Sequence, residues 1–104
     1  MFGTMTEFRP KPGQEAAMHA WFAGESAERS AKIEGFLCQY ILEPATPGND
    51  WIAFIVFDSE ANYRSNAADL AQHQSYLALL DLVVAPPTWH DGEIRLAEPS
   101  SVAL

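Results

Sequence analysis

One cysteine, Cys38, stands among 104 residues, so no internal disulfide can form and nothing points to an oxidising compartment. Basic residues are scarce too: six Lys and Arg face 14 Asp and Glu, a formal charge of −8. A field of that sign repels phosphate backbones and anionic lipid headgroups, and no basic cluster offsets it locally. Nucleic acid and membrane surfaces are therefore not expected partners. Long apolar runs are missing as well. The longest, "WIAFIVF", is far too short to cross a bilayer, and the opening "MFGTMTEFRPKPG" lacks the basic start and apolar run of a signal peptide. His19, His73 and His90 form no H-x-x-x-H pair and have no cysteine cluster beside them, so no metal site is expected. The one glycine-rich hint, Pro12-Gly13, reads as a turn and not as a phosphate cradle. These absences predict a cytoplasmic protein with neither metal nor cofactor.

What is present is a hydrophobic content of 48%, enough for a globular chain, at a length that suits one domain over residues 1–104. "FGTMTEF" alternates, with Phe2, Thr4, Thr6 and Phe8 on one strand face and Gly3, Met5 and Glu7 on the other. "RPKPGQE" breaks that strand. From about Gln14 the period becomes helical: Ala17, Ala20, Trp21, Gly24, Ala27 and Ala31 form a small-residue stripe widened by Met18 and Phe22. Glu25, Glu28, Arg29 and Lys32 read as the wet face of that helix, and Gly35 as its left-handed end. "FLCQYILE" and "WIAFIVF" are strands separated by the breaker-rich turn "PATPGND". "DSEANY" supplies an N-cap and a helical start, "APP" stops the following helix, and "TWHDGEIRLA" is a last strand with a turn or bulge at Asp91-Gly92. Residues 97–104 read as a loose tail.

The order β-α-β-β-α-β is the split arrangement of α+β ferredoxin-like folds, a four-stranded antiparallel sheet with two helices on one face. Two helices cover one sheet face only, yet the second and third strands carry apolar side chains on both. The open face is therefore expected to pair with a second copy, closing a dimeric α/β barrel that buries Trp51, Phe54 or Phe57.

The helix within "LAQHQSYLALLDLVV" sets a question about chemistry. Leu70, His73, Leu77, Leu80 and Val84 fall on one helical stripe, a histidine where a leucine is expected. His73 is either a core histidine bonded to a backbone carbonyl or a base facing a pocket; its ordinary pKa of ~6.5 suits the second role.

The exit "FRPKPGQE", the junction "IEGF", the corner "FIVFDSEANY", the helix "HQSYLALLDLV" and the closing "WHDGEI" together span residues 2 to 97. In order and spacing they resemble the antibiotic-biosynthesis-monooxygenase group of the dimeric α/β-barrel superfamily. The resemblance implies a homodimer with a small pocket between sheet and helices in each subunit. It also implies oxidation of quinols, anthrones or similar aromatic compounds without metal or flavin. An asparagine on the first strand and a tryptophan in the second helical region often accompany the helix histidine in oxygenase and haem-degrading members. Thr6 and Tyr63 stand at those places here, which argues against haem degradation, and His73 is kept.

The resulting expectation is a cofactor-independent monooxygenase acting on a small aromatic or quinol-type substrate. His73 and Tyr63 are its catalytic residues, and Thr6, Trp21, Tyr40, Leu70 and Leu77 its substrate contacts. The alternatives are an isomerase or cyclase acting on an enolisable substrate, and a non-catalytic module that binds a small hydrophobic ligand. The bland reading of the tyrosines and tryptophans is amphipathic packing, and of Cys38 a small core filler.

Overall fold

A computed structural model describes residues 1–98; residues 99–104, which make up most of the expected tail, lie outside the described part. The elements run β1 (Phe2–Phe8), α1 (Glu15–Trp21), a π-helical segment (Phe22–Ser26), α2 (Ala27–Ser30), β2 (Phe36–Leu42), β3 (Trp51–Phe57), α3 (Glu60–Ala67), α4 (Leu70–Leu80) and β4 (Thr88–Glu93). The strands form one antiparallel sheet in the order β2-β3-β1-β4, the ferredoxin-like arrangement that the pattern predicts. β4 runs without interruption through Asp91-Gly92. A register shift between Phe36 and Cys38 places the irregularity on β2 instead.

The helices cover the face that carries Thr6, Phe8, Ala53 and Phe57. Phe8, Met18, Trp51, Ala53, Leu79 and Val83 form the core there, each large side chain contributing roughly 1.5–3 kcal/mol by leaving water. Trp51 and Phe57 are thus buried within the single chain. Of the three aromatic residues expected at a dimer contact, only Phe54 lies on the open face, in a row with Tyr40 and Met5 as direct cross-strand partners.

Both helical stripes differ from the pattern reading. In the first helical region the inward residues are Met18, Phe22, Ser26 and Ser30, while Ala20, Ala27 and Ala31 are exposed. A four-residue spacing drifts by about 40° per step around an α-helix, and the wider π turn absorbs that drift. In α4 the buried residues are Ser75 and Leu79. Leu70 is 70% exposed and Leu77 47%, with His73 and Val84 exposed beside them. The leucine count misleads here because the inward face of α4 lines a partly polar cavity, which takes Gln72 and Ser75 rather than leucine.

Local chemistry fixes the ends of the second helical region. The Ser59 hydroxyl accepts from the Asn62 amide at 3.2 Å to cap α3. Asp69 Oδ1 accepts from the Ala71 and Gln72 amides at 2.9 and 3.1 Å to cap α4. Gly35 has φ +79°, and a Cβ there would run into Asp58 and Asn62, so the corner that brings α3 against the sheet requires glycine.

Candidate active site

A cavity of about 130 Å³ lies between the helix-facing side of the sheet and the helices. Its walls are mostly apolar and aromatic: Phe8, Phe22, Phe36, Ile55, Phe57 and Leu79. The volume is similar to the ~150 Å³ apolar cavity known to take up benzene.

Three polar atoms among its lining residues are buried without a hydrogen-bond partner: Thr6 Oγ1, Trp21 Nε1 and Arg29 Nε. Thr6 is 4% exposed. An unmet buried polar group costs about 1–3 kcal/mol, so the layer around the cavity carries three polar atoms that the fold leaves unpaired and shielded from water. The π segment helps to assemble them. Residues five apart stack in a π turn, so Trp21 lies one turn from Ser26 rather than on the opposite flank of the helix.

Among the described residues, Arg29 is the only charged side chain in the lining. Its Nη2 donates to Gln72 Oε1 at 3.3 Å and lies 4.0 Å from Asp69 Oδ1, the oxygen that caps α4. Gln39 Nε2 donates to Ser26 Oγ at 3.4 Å, tying β2 to the π-helical segment. The lining contains, among the described residues, no histidine, carboxylate, thiol or lysine. Among the described residues, no three His, Cys, Asp or Glu side chains cluster as metal ligands would.

A second polar group sits where α3 meets β1 and β4. Asp91 Oδ1 accepts from Thr4 Oγ1 at 2.6 Å and from the Tyr63 hydroxyl at 3.0 Å, and its Oδ2 accepts from Arg64 Nη1 at 3.2 Å. Burial pushes the Tyr63 phenol above its ordinary pKa, and the bond to the Asp91 carboxylate pushes the same way. Partial burial pulls the Asp91 carboxyl up, but bonds from Thr4 and Tyr63 and the charge of Arg64 outweigh it and hold the carboxyl low.

The structure brings Thr6, Trp21 and Tyr63 together in the cavity lining and leaves out four other residues expected there. Tyr40 is on the open sheet face, and Leu70, His73 and Leu77 are on the outer face of α4. His73 as a pocket-facing base is therefore corrected: one helical face cannot point both outward and to the sheet, and the inward one carries Gln72, Ser75, Tyr76 and Leu79. The pattern missed Arg29, Gln72, Ser75 and Asn66. The spacing Met18, Phe22, Ser26, Ser30 was the available signal for Arg29, which adjoins that row.

No protein-family model matches the chain, and no curated protein matches its sequence. Solved structures match its fold over almost the whole length. A cofactor-independent oxygenase of Streptomyces nogalater, SnoaB, superposes with a TM-score of 0.81 at 20% identity, covering 95% of this chain and 97% of its own. A monooxygenase of Streptomyces coelicolor in complex with nanaomycin D gives 0.79 at 24% identity, covering 96% and 92%. A Deinococcus radiodurans protein described as a candidate antibiotic biosynthesis monooxygenase gives 0.80 at 14% identity, covering 98% and 100%.

Proposed function

We propose that this chain, which has the fold of the antibiotic biosynthesis monooxygenases, is a cofactor-independent monooxygenase acting on a small aromatic, quinol-type substrate. The observation that carries the reading is the character of the cavity. It is sized for one aromatic ring, is walled largely by aromatic side chains, and holds neutral polar groups and Arg29 but, among the described residues, no histidine or carboxylate to act as general base. Such a site holds, orients and desolvates a substrate that is itself electron-rich.

The reaction balances without a further reductant. A phenol with hydrogen on its para carbon ionises, and its phenolate gives one electron to dioxygen. The resulting pair joins at the para carbon as a peroxide. Loss of the proton on that carbon, with cleavage of the O–O bond, gives the quinone and one water. All the electrons come from the substrate. Thr6 and Trp21 contact the ring and its oxygen, and Tyr63 closes the α3 side with its ring while its hydroxyl is held by Asp91. Oxygen uptake by metal-free protein with single-ring quinols and phenols tests this reading.

The protein acts as a homodimer through the open sheet face, where Met5, Tyr40 and Leu42 are 44%, 56% and 61% exposed and flank Phe54. A contiguous apolar face of this kind is covered in a stable protein. A cytoplasmic location suits the free thiol of Cys38, and no helix among the described residues is long and apolar enough to cross a membrane. A second reading, a carrier that sequesters an aromatic metabolite, draws on the same absence of a base. An isomerase or cyclase acting on an enolisable substrate would consume no oxygen, so oxygen uptake separates it from the first reading.

A further inference from the structure

The strand register lines up cross-strand rows on the open face of the sheet. Tyr40, Phe54, Met5 and His90 form one row, Leu42, Ile52, Glu7 and Thr88 the next, and Cys38, Val56, Gly3 and Gly92 a third. Among these residues Glu7 is the only carboxylate, and His90 is the only group that can answer it with a positive charge. Two copies of a chain with a net charge of −8 repel one another, and this face, nearly free of charge, is where the repulsion is least. A second copy therefore suits it as partner, bringing the same apolar rows and the same single pair. Glu7 stands on β1, an inner strand of the sheet, so a copy that covers the rows covers its carboxylate.

Resting on the homodimer proposed above, we infer that the open face is a proton-dependent contact, on which two copies pair most tightly when His90 is protonated beside Glu7. Glu7 Oε2 lies 3.2 Å from His90 Nε2 and accepts from Thr88 Oγ1 at 3.3 Å. In the single chain the two side chains are 43% and 63% exposed, and a pair so placed is worth little. Under a second copy the water is excluded. A carboxylate facing an imidazolium is then neutralised, whereas one facing a neutral ring is a covered net charge. The nearest other charged groups lie past the ends of β1, already paired: Arg9 with Asp50 at 2.9 Å, and the Met1 amino group with Glu93 at 3.4 Å. Cys38 and Tyr40 share the face, but thiols and phenols ordinarily ionise above the range in which histidine titrates. The sign follows from linkage. The covered pair holds its proton more tightly than the free chain does, so pairing takes up protons. Its stabilisation is complete below the free chain's His90 ionisation and is lost as pH rises through the higher value in the dimer.

Sedimentation of the whole chain at about pH 5.5 and about pH 7.5, either side of the ordinary histidine range, tests the assignment. Salt of about 0.5 M screens repulsion between charges more than a few ångströms apart. The dimer dissociation constant should be at least about tenfold larger at the higher pH. His90→Gln should remove most of that difference, because an uncharged side chain then faces Glu7 at either pH. Glu7→Gln should reverse it, because an imidazolium is then covered without a partner at the lower pH. A general loss of negative charge in acid cannot produce that reversal. Both side chains are exposed in the single chain, so the variants keep the fold. A full difference retained in His90→Gln, or an unreversed one in Glu7→Gln, would overturn the assignment. An unaltered dimer of constant affinity rejects the proton dependence alone, whereas a chain monomeric at both pH values rejects the homodimer and the proton dependence together.

Discussion

The hydroxyl of Tyr63 donates to Asp91 Oδ1 across 3.0 Å, joining α3 to β4 and taking from the cavity the one phenol that sequence reasoning assigned to catalysis. Tyr63→Phe keeps the ring and leaves Asp91 bonded to Thr4 and Arg64, so unfolding free energy should fall by about 1 kcal/mol while ligand affinity holds. The pH dependence has a definite sign. The folded phenol ionises above the ordinary tyrosine value of about 10, so its contribution is intact below that pH and disappears as pH rises through the higher folded value. Asp91 ionises below the ordinary aspartate value of about 3.9, so its share is present above that pH and lost as acid takes the carboxylate through the lower folded value. A tyrosinate absorbance titration should show one of the three tyrosines ionising last, and Tyr63→Phe should remove that step.

His73 offers the cleanest contrast between sequence pattern and structure. On an exposed face of α4, its replacement by Ala or Leu should change stability by no more than about 0.5 kcal/mol and leave ligand affinity and turnover as they were. A tenfold loss of turnover in a folded His73→Ala protein would restore it to the site.

Thr6→Val removes a hydroxyl that is buried and unpartnered in the ligand-free protein. Relief of that penalty, about 1 kcal/mol or more, should raise the melting temperature of the free protein while weakening its hold on a phenol. A lower melting temperature would show that the hydroxyl has a partner in solution.

Phe54 sits at the middle of the apolar row between Tyr40 and Met5. Phe54→Lys places a charge at the centre of the proposed contact, where an unpaired charge is costly. Sedimentation should show a dimer for the unaltered chain and a monomer, or a shift of at least about a hundredfold in dissociation constant, for the variant. A monomeric unaltered chain at micromolar concentration would remove the barrel assembly.

Alternation and turn chemistry carried most of the fold. The alternation of β1 placed Thr4, Thr6 and Phe8 on the helix-facing side, and the breakers at 44–50 set the β2-β3 hairpin apart. The doubly apolar β3 foretold an open face with something to cover. The site was harder to read, for a physical reason. Apolar periodicity finds solid core, and this helical layer rests partly on a cavity whose wall needs Arg29, Gln72 and Ser75. Polar residues facing inward look like solvent residues in sequence. A π turn, invisible to a 3.6-residue period, then shifted the inward row of the first helical region.

The central claim is that the substrate itself reduces dioxygen inside this cavity. It is tested most directly by giving the metal-free, flavin-free protein a single-ring phenol or quinol under isotopically heavy dioxygen and analysing the product by mass spectrometry. The account predicts one heavy oxygen atom in the quinone per dioxygen consumed with a para-unsubstituted phenol, and unchanged product formation in His73→Ala. Product oxygen derived only from water, or bound phenol recovered unchanged with no oxygen consumed, would contradict it.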